Sequence, residues 1–399
     1  MPTQRVKDAL SSSPSPASVF TELTSCFTKR HDSLAAVLGG VLTYPGPVDC
    51  VAHLSTTTPG YAHSGLYAAL EKGRVDTARL TRLLVEYGNQ DDLYEDVYST
   101  DATTWARPDA NTVALRAANA KHSLRTPLIR VMSYTTKGTK SGSKAIPGWS
   151  YQVVARQTHQ TGSWSLPVCV ARIGPDDEHS KFTAGQIKAV TEVHRGTKPL
   201  FVLDSGYPGP CLTHLLRRDR IDANVLVRLH SDRVMRELLE EPTKRGPGRP
   251  VKHGARFPFA KPPRDPDASV TFSCHRYGDV QVDAYHNLHP ALSHDHAGAK
   301  EMLKETGKLP IISGTVLHVS CTKRTGNAGW WLWYDGDSPD LERLFWCYAH
   351  RFDIEHTFRC CKQSLGLTAT SPGSARVADM WVTDKCGASE ACASRAVSR

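Results

Sequence analysis

The sequence lacks a long hydrophobic run and a secretory signal, and each absence excludes a class of protein. The longest nearly uninterrupted apolar run, Leu34–Leu42, has nine residues, whereas a helix that spans a bilayer needs about twenty. The first residues carry charge but no apolar segment followed by a small-residue cleavage site. We therefore expect a cytoplasmic protein with no membrane partner.

Paired cysteine motifs are also absent. The chain has 11 cysteines, an odd number, and no C-x-x-C pair, so we expect reduced thiols rather than a disulfide framework or a structural zinc site. The histidine-rich stretch that contains His286, His289, His294 and His296 matches no tetrahedral ligand spacing, and we expect a solvated loop there. With 40% apolar and 22% charged residues, the composition is that of a folded protein with a sizeable core.

Positive charge is concentrated in one segment. The 399 residues include 49 Lys and Arg against 40 Asp and Glu, a net charge of +9. Between Leu215 and Arg264 there are 13 basic and 6 acidic residues, so this segment alone carries +7. A local basic field suits a polyphosphate partner such as nucleic acid, because each neutralised phosphate releases a counterion. A solvated loop is the alternative.

Hydrophobic spacing divides the chain into five segments. Residues 1–90 are predicted to be helical, and residues 91–230 to form strands followed by helix, strand, helix and strand. Residues 231–337 combine a basic linker with a β-rich insertion, residues 338–370 hold a long helix, and residues 371–399 lose all periodicity and predict an unfolded tail. Strands alternating with helices are typical of an α/β protein with a mixed sheet.

The long helix, predicted from Ser338 as N-cap to Gly366, carries a row of polar side chains. At about 100° per residue, four of them would lie within about 60° of one another. They are Tyr348, Arg351, Glu355 and Lys362. Apolar residues flank this row, so we expect it to face inward and to meet metal ions or phosphates. The alternative is an internal ion pair between Arg351 and Glu355 on a solvated face.

Two aspartates complete a set of three carboxylates with Glu355. Asp204 follows the strand-like PLFVL, and open α/β sheets bind ligands at the carboxyl ends of their strands; a turn or helix N-cap is its alternative role. Asp101, which follows the strand-like VYST, is the best placed of several candidates for the first carboxylate. The other candidates are Asp91, Asp92, Asp96 and Asp109. Three such carboxylates suit a two-metal site for phosphoryl transfer, and Mg²⁺ prefers oxygen ligands.

These motifs resemble a known family. YAHRFDIEHTFRCCKQSLG is similar to the Tyr-Arg-Glu-Lys signature, Y-x2-R-x3-E-x6-K, of one branch of bacterial insertion-sequence DDE transposases. STDATTWARPDA and LDSGYPG look like the first and second Asp motifs of that branch. The resemblance implies that Asp101, Asp204 and Glu355 hold two Mg²⁺ ions, which Mn²⁺ could replace. It also implies a ribonuclease-H-like catalytic core with an all-β insertion, and a helical N-terminal region that binds DNA ends.

The resemblance assigns further roles to single residues. In that family the Tyr, Arg and Lys of the helix hold DNA phosphates, which implies this role for Tyr348, Arg351 and Lys362. Tryptophans of the insertion stack on a flipped base in related hairpin-forming enzymes, so Trp330, Trp331 and Trp333 are candidates for base stacking. Packing in a strand core is the alternative, and we expect it for at least two of the three.

A second motif with a DNA-binding resemblance lies in the basic linker. KRGPGRPVKHG, from Lys244 to Gly254, is similar to an AT-hook, whose Gly-Arg-Pro core lies in the minor groove. It makes Arg249 and Lys252 candidate DNA contacts. Hook cores are short and match basic linkers by chance, so a plain linker is the alternative.

The implied function is cleavage at transposon ends and strand transfer into target DNA. The implied partners are the terminal inverted repeats, the target DNA and a second copy of the chain in a DNA-bound homodimer, in a bacterial, nucleoid-associated setting. Two alternatives remain open: a host nuclease of the same fold, and an inactive, truncated DNA-binding remnant, because recognisable family sequence fades after Thr370.

Overall fold

The computed structural model describes most of the chain and divides it into two compact units. The described residues are 16–87, 96–107, 128–134, 140–158, 163–174, 176–194, 197–239, 251–292, 299–323, 329–337 and 339–397. Unit 1 comprises Met1–Glu95, Asp101–Asp177 and Phe352–Arg399, and unit 2 comprises Asp96–Thr100 and Glu178–Arg351.

Unit 1 begins with helices, as predicted. They are α1 (Pro16–Ser25), α2 (His31–Thr43), α3 (Val51–Leu54), α4 (His63–Lys72) and α5 (Thr77–Tyr87). In α2 the apolar residues Leu34, Val37, Leu38 and Val41 are buried, at the spacing of one helix face. Within this helical part, β1 (Phe27–Lys29) and β2 (Arg74–Val75) form a short antiparallel ribbon.

Long antiparallel strands follow in unit 1. Strand β3 spans Val97–Ala106, and its residues from Asp101 onward belong to this unit. Strand β5 (Lys140–Gln157) pairs antiparallel with both β4 (Leu128–Tyr134) and β6 (Ser165–Ile173). The buried residues Tyr151, Val153 and Ala155 of β5 alternate along the strand, which gives this sheet an apolar face.

Unit 2 is built on a large mixed sheet. Its strands are the first four residues of β3, then β7 (Leu200–Leu203), β8 (Asn224–Leu229), β9 (Val234–Glu237), β10 (Arg256–Pro258), β11 (Ala268–Cys274), β12 (Gly278–Pro290), β13 (Gly314–Cys321) and β14 (Trp330–Tyr334). Strands β3, β7 and β8 are parallel, and the pairs from β8 through β14, β13, β12 and β9 to β10 are antiparallel. All residues of β7 and β14 are buried, as their uninterrupted apolar sequences favour. The predicted α/β class with a mixed sheet is confirmed.

Four helices accompany this sheet. They are α6 (His179–Thr191), α7 (Gly209–Arg218), α8 (Ala299–Thr306) and α9 (Leu341–Ala349). Helix α6 is capped by Glu178, whose carboxylate accepts hydrogen bonds from the backbone N–H groups of Ser180 and Lys181. Helix α8 lies within the segment predicted to be an all-β insertion. The insertion is therefore β-rich rather than all-β.

The helix predicted to run from Ser338 to Gly366 is not continuous. After α9 comes a three-residue 3₁₀ segment (His350–Phe352), and α10 (Asp353–Gln363) follows. A 3₁₀ segment advances by about 120° per residue instead of about 100°. The four polar residues, Tyr348, Arg351, Glu355 and Lys362, therefore do not lie on the face of one continuous α-helix.

The first residue of this helical segment differs from the prediction, whereas its predicted end at Gly366 agrees with the structure. Asp340 is the N-cap of α9, because its side chain accepts a hydrogen bond from the backbone N–H of Arg343 at 3.0 Å. Ser338, the predicted cap, lies outside the described residues. Gly366 follows α10 with a φ of 68°, the left-handed conformation that a glycine after a helix supplies.

Within the segment 371–399, predicted to be an unfolded tail, residues Ala375–Val397 form a helix, α11. Ala378, Trp381, Val382 and Cys386 are buried on one face of it, and α11 contacts β6, α1, α2 and α4. The indole N–H of Trp381 donates to the backbone oxygen of Gly366 at 3.0 Å. The prediction was wrong because this face consists mostly of small residues, which produce little hydrophobic periodicity but allow close packing against other elements.

Two histidines predicted in a solvated loop lie in a strand. His286 and His289 belong to β12, and His289 is fully buried. Strand β12 pairs with β9, β11 and β13, and these partners cover it. His294 and His296 lie outside the described residues.

Two predicted absences concern cysteines and membranes. No disulfide links the ten cysteines whose side chains the structure describes. Within the described ranges, none of the helices is long and apolar enough to cross a membrane.

Candidate active site

Unit 1 contains an open cleft of about 470 Å³ between part of β3 and one face of α10. Its charged and polar lining includes Asp101, Glu355, Arg359, Lys362 and Gln363, with Phe358 as an apolar neighbour. The structure thus places two of the three predicted carboxylates and the predicted lysine around one space. Such a mixture of carboxylates and cations is able to bind a cation and an anion side by side.

Asp101 lies inside β3, one residue past the part of the strand that belongs to unit 2. Its Oδ1 accepts a hydrogen bond from the backbone N–H of Ala102 at 2.7 Å, and the residue is half-buried. In unit 2, β3 pairs in parallel with β7, and Thr100 lies opposite Leu203. In the sequence, Asp101 follows Thr100 and Asp204 follows Leu203.

Glu355 is positioned by the packing of α10. It occupies the first turn of the helix, where the N-terminal dipole favours a negative charge. Ile354 is fully buried against Val153 and Ala155 of β5. The hydroxyl of Thr357 donates to the backbone oxygen of Ser165 at 2.9 Å. These contacts fix the buried side of α10, and Glu355 is exposed on the other side.

Two cations lie on the same side of α10 as Glu355. Arg359 and Lys362 follow it by four and seven residues, the spacing of one helix face. Burial lowers the pKa of Lys362, and the nearby Cys361 thiol opposes the shift. A partly desolvated ammonium gains more from a bound anion than one in water. Arg359 and Gln363 were not singled out from the sequence, although their spacing of four and eight residues from Glu355 was the available signal.

Asp204 lies at the carboxyl end of β7 in unit 2, as predicted. Its Oδ1 accepts a hydrogen bond from the backbone N–H of Gly206 at 2.8 Å, so the residue also closes a turn, the alternative role considered from the sequence. The His179 ring lies 4.8 Å from that of Tyr207 in the same turn. Burial lowers the pKa of His179, and the negative charges of Glu178 and Asp204 oppose the shift. A neutral ring therefore lies beside the Asp204 turn at neutral pH.

Tyr348 and Arg351 belong to unit 2, and both are buried. Tyr348 packs edge-on against Trp330, with 5.3 Å between the ring centroids. Burial raises the pKa of Tyr348, and the positive charges of Arg351 and Arg228 oppose the rise. Arg228 was not singled out from the sequence; it lies on β8 and adds a second cation near this phenol.

Trp331 lies in the core of unit 2 rather than on its surface. Only 5% of its surface is exposed. Its ring stacks with Phe259 at 4.2 Å and with His318 at 4.3 Å. This arrangement of Trp331 matches the alternative interpretation of the sequence, which was packing in a strand core. Stacking on a DNA base would require the ring to leave these two neighbours.

The remaining residues predicted as candidates have simple outcomes. Arg249 lies outside the described residues, and Lys252 is exposed. Asp96, an alternative for the first carboxylate, has its Oδ1 at 3.0 Å from Nδ1 of His194. His194 in turn lies 2.5 Å from the hydroxyl of Tyr98, so Asp96 has a structural role inside unit 2. Asp91, Asp92 and Asp109 lie outside the described residues.

The donor atoms at the cleft fit a hard divalent cation. Asp101 and Glu355 offer carboxylate oxygens, which Mg²⁺ and Mn²⁺ prefer, and the cleft is open to solvent. Within the described ranges, no group of three or more His, Cys, Asp or Glu side chains is assembled around a common point that could hold a metal ion.

Comparison with known proteins identifies the family. The model of the DDE superfamily endonucleases matches residues 22–288, and this chain belongs to that family. The match includes Asp101 and Asp204 and ends before Glu355. No curated protein matches the sequence. The cryo-EM structure of piggyBac transposase in a synaptic complex with hairpin DNA is similar with a TM-score of 0.40 and 7% identity, covering 90% of this chain. This chain corresponds to 65% of the length of that one.

Proposed function

We propose that this chain is a DDE transposase that cleaves DNA at transposon ends and joins the freed ends to target DNA. The observation that carries the proposal is the cleft in which Asp101, Glu355 and Lys362 meet. The membership in the DDE endonucleases supports the nuclease part of it. The more specific assignment, to the bacterial insertion-sequence branch with the Tyr-Arg-Glu-Lys signature, is supported by the spacing of Tyr348, Arg351, Glu355 and Lys362.

The proposed metal ligands are Asp101, Asp204 and Glu355. Asp204 follows the carboxyl end of β7, and the carboxyl ends of parallel strands are the usual ligand sites of α/β sheets. Asp101 lies inside β3, directly after the last residue of β3 that pairs with β7. A ribonuclease-H-like core would combine them with Glu355. DDE endonucleases generally use divalent metals, and we propose two Mg²⁺ ions, replaceable by Mn²⁺. Bound there, such ions activate the attacking oxygen and stabilise the leaving oxygen of a phosphodiester.

The side chains of the chain itself would hold the DNA. Lys362 and Arg359 are placed to contact phosphate oxygens in the cleft, and a guanidinium binds two such oxygens at once. Tyr348 and Arg351 are proposed as further phosphate contacts. In the cleavage step a water oxygen bonds to phosphorus while the bond to the 3′ oxygen breaks. In the joining step the freed 3′-hydroxyl attacks a phosphate of the target strand, whose own 3′ oxygen leaves.

The proposed partners are the terminal inverted repeats of a transposon and its target DNA. A homodimer would bring two ends together in one complex, in a nucleoid-associated setting. Arg249 and Lys252 are proposed to bind the DNA backbone or minor groove through the AT-hook-like segment. Trp331 remains a proposed base-stacking residue only if DNA binding displaces it from Phe259 and His318.

The proposal is tested by a nicking assay on DNA that carries the terminal repeats, with and without Mg²⁺. Single changes of Asp101, Asp204 and Glu355 to Ala should abolish nicking, by about 10³-fold or more, because each removes a metal ligand. DNA binding should stay within a few-fold, because carboxylates repel DNA. The control is Glu342→Ala, an exposed carboxylate on α9. Nicking by Asp101→Ala at the normal rate would exclude Asp101 as a ligand.

Strand-transfer products distinguish the proposed transposase from the alternatives. Nicking without joining would favour a host nuclease. Binding of the ends without metal-dependent nicking would favour an inactive DNA-binding protein.

A further inference from the structure

Two guanidinium groups converge on one backbone oxygen in unit 1. Nη1 of Arg74 donates to the oxygen of Gly73 at 3.2 Å, and Nη2 of Arg376 donates to the same oxygen at 2.8 Å. Arg74 lies in β2 and Arg376 in the first turn of α11, so residues 302 positions apart in the sequence place like charges side by side. The Gly73 oxygen offsets part of their mutual repulsion, and a bound anion would offset more of it.

The backbone that holds this oxygen is rigid. The N–H of Gly73 donates to the oxygen of Ala69 at 2.7 Å and ends α4. A Cβ at this position would lie too close to the same Ala69 oxygen and 2.8 Å from the side chain of Leu34, so only glycine fits. The direction of the Gly73 carbonyl is therefore fixed by packing, and the two guanidinium groups meet at a defined place.

A third cation faces Arg74 across the β1–β2 ribbon. Lys29 of β1 is the Cα partner of Arg74, and both residues are exposed. The register of the ribbon shifts between Phe27 and Lys29, so the pairing places Lys29 beside Arg74 on the neighbouring strand without fixing a shared face. Lys29, Arg74 and Arg376 thus form one basic surface around the ribbon.

A fourth cation, Arg30, sits beside this surface in an unusual backbone conformation. Its φ is 59° and its ψ is 37°, at the N-cap of α2, where its side chain makes no capping hydrogen bond. A left-handed conformation disfavours residues with a Cβ, and an exposed turn would ordinarily use glycine or asparagine. Arg220, which is also exposed, has a φ of 53°, but it follows α7, where a left-handed residue is the usual way to end a helix. Arg30 instead lies at the junction between the end of β1 and the start of α2.

The acidic residues nearby do not neutralise these cations. Asp32 lies 3.0 Å from the ring of His31, and Asp76 accepts a hydrogen bond from the backbone N–H of Arg79. In the part of the chain that the structure describes, no carboxylate lies within ion-pair distance of Lys29, Arg30, Arg74 or Arg376. Among the described residues, these four positive charges, which come from three separate parts of the chain, have no carboxylate at ion-pair distance.

We propose that Lys29, Arg30, Arg74 and Arg376 form a binding surface for the phosphate backbone of duplex DNA, separate from the cleft that contains Glu355. DNA is inferred because the ligand must carry closely spaced negative charges, and because the proposed function, on which this inference rests, supplies DNA as the substrate. Guanidinium groups bind phosphate oxygens in pairs, and each neutralised phosphate releases a counterion. Phosphate binding of this kind carries no sequence information, so the surface positions the duplex.

Arg30→Gly is the sharpest test, because it removes the charge and relieves the backbone at the same time. We expect its melting temperature to be unchanged or raised. Its affinity for a labelled duplex of arbitrary sequence should fall, and the slope of log K against log salt should shrink by about 0.9. The matched control is Arg220→Gly, which removes an exposed arginine with the same backbone conformation from unit 2. This control should keep the wild-type slope.

The paired change Arg74→Ala with Arg376→Ala extends the test, with Arg74→Lys and Arg376→Lys as its charge-retaining version. The alanine pair should reduce the slope by about 1.8, and the lysine pair should retain most of it. Both are compared at equal folded fraction, measured by circular dichroism. An unchanged slope in Arg30→Gly, or an equal reduction in Arg220→Gly, would overturn the proposed surface.

The results also separate this inference from the proposed function. Metal-dependent nicking with wild-type salt dependence in Arg30→Gly would support the transposase proposal and contradict the proposed DNA-binding surface. Absence of nicking together with a reduced slope in Arg30→Gly would contradict the transposase proposal and support the DNA-binding surface.

Discussion

At the scale of single residues, Asp335 connects three elements of unit 2. Its Oδ1 accepts from the backbone N–H of Val225 at 2.7 Å, and its Oδ2 accepts from the hydroxyl of Thr213 at 3.0 Å. Thr213 also accepts from the indole N–H of Trp333 at 2.9 Å. The network holds α7, and therefore the turn that begins with Asp204, against β8 and β14. Desolvation raises the pKa of Asp335 to about 6, and its hydrogen bonds oppose the rise.

This shift makes the free energy of unfolding depend on pH. Because the pKa of Asp335 in the folded state exceeds its ordinary value, the folded protein binds this proton more tightly than the unfolded chain does. The resulting stabilisation is present at low pH and is lost as the pH rises through about 6. Between pH 4 and 6, wild-type stability should fall by about 2 kcal/mol relative to Asp335→Asn.

Urea unfolding at several pH values measures this difference. Asn keeps the acceptor for Val225, so the variant should be folded and at least as stable as the wild type at neutral pH. Parallel pH profiles of the two proteins would contradict the role given to Asp335.

At the scale of elements, α10 is held to the sheet of unit 1 by a small apolar cluster and a hydroxyl. Ile354 is its buried apolar residue, packed with Val153 and Ala155, and Thr357 joins it to Ser165. Glu355 is adjacent to Ile354 in sequence, so the packing of one determines the position of the other.

Ile354→Ala should therefore lower both stability and nicking. We expect a decrease of about 3 kcal/mol in the free energy of unfolding, because the variant buries less apolar surface and leaves a cavity. Ile354→Val should cost about 1 kcal/mol and retain most of the nicking. Chemical unfolding and the nicking rate of folded protein are the measurements. Full nicking by Ile354→Ala would mean that other packing positions Glu355.

Helix α11 buries an ion pair between adjacent residues. Nζ of Lys385 lies 3.2 Å from Oδ2 of Asp384 and 3.5 Å from the centre of the Trp381 ring. Burial lowers the pKa of Lys385 to about 8 and raises that of Asp384, and each charge opposes the shift of the other. A buried pair of this kind stabilises little in total, but removal of one member leaves an uncompensated charge.

Removing one partner should therefore be worse than removing both. Lys385→Met alone should cost about 3–5 kcal/mol of unfolding free energy, because Asp384 stays buried without its cation. The double change Asp384→Ala with Lys385→Met should recover most of this stability. Hydrogen exchange provides a second measurement: backbone amides from Ala378 to Ser389 should be protected. Rapid exchange of these amides would contradict the helix.

At the scale of the whole molecule, charge is distributed unevenly. The segment from Leu215 to Arg264 carries +7 of the net +9. Some of its cations are paired, such as Arg218 with Asp219 and Arg264 with Asp267. Lys252 is exposed, and the AT-hook-like segment around it contributes further positive charge.

Arg249→Ala with Lys252→Ala should weaken binding to all DNA sequences alike. The slope of log K against log salt should shrink by about 0.9 for each DNA phosphate that the variant no longer neutralises. The control Lys188→Ala with Lys198→Ala removes the same charge from cations that are paired with Glu192 and Asp222. Equal slopes for the wild type and the Arg249/Lys252 variant would identify the segment as a linker.

Local sequence patterns determined the class of the fold and part of the site. The spacing of Leu34, Val37 and Leu38 predicted a helix, and the uninterrupted apolar runs of β7 and β14 predicted buried strands. Glu355 and Lys362 share a helix face because their spacing of seven residues lies within α10. These features are determined by residues that are close in sequence, and the periodicity of apolar residues predicts them directly.

Only the tertiary structure decided the features that depend on distant residues. Helix α11 is stable through its packing against β6 and α2, which its small residues do not predict. His289 is buried because strands far away in sequence pair with β12. Arg74 and Arg376 meet at Gly73 only in the folded chain. The physical reason is that the burial of a side chain and the meeting of distant charges both depend on packing between elements far apart in sequence. The periodicity of one segment predicts only which of its residues lie on the same face.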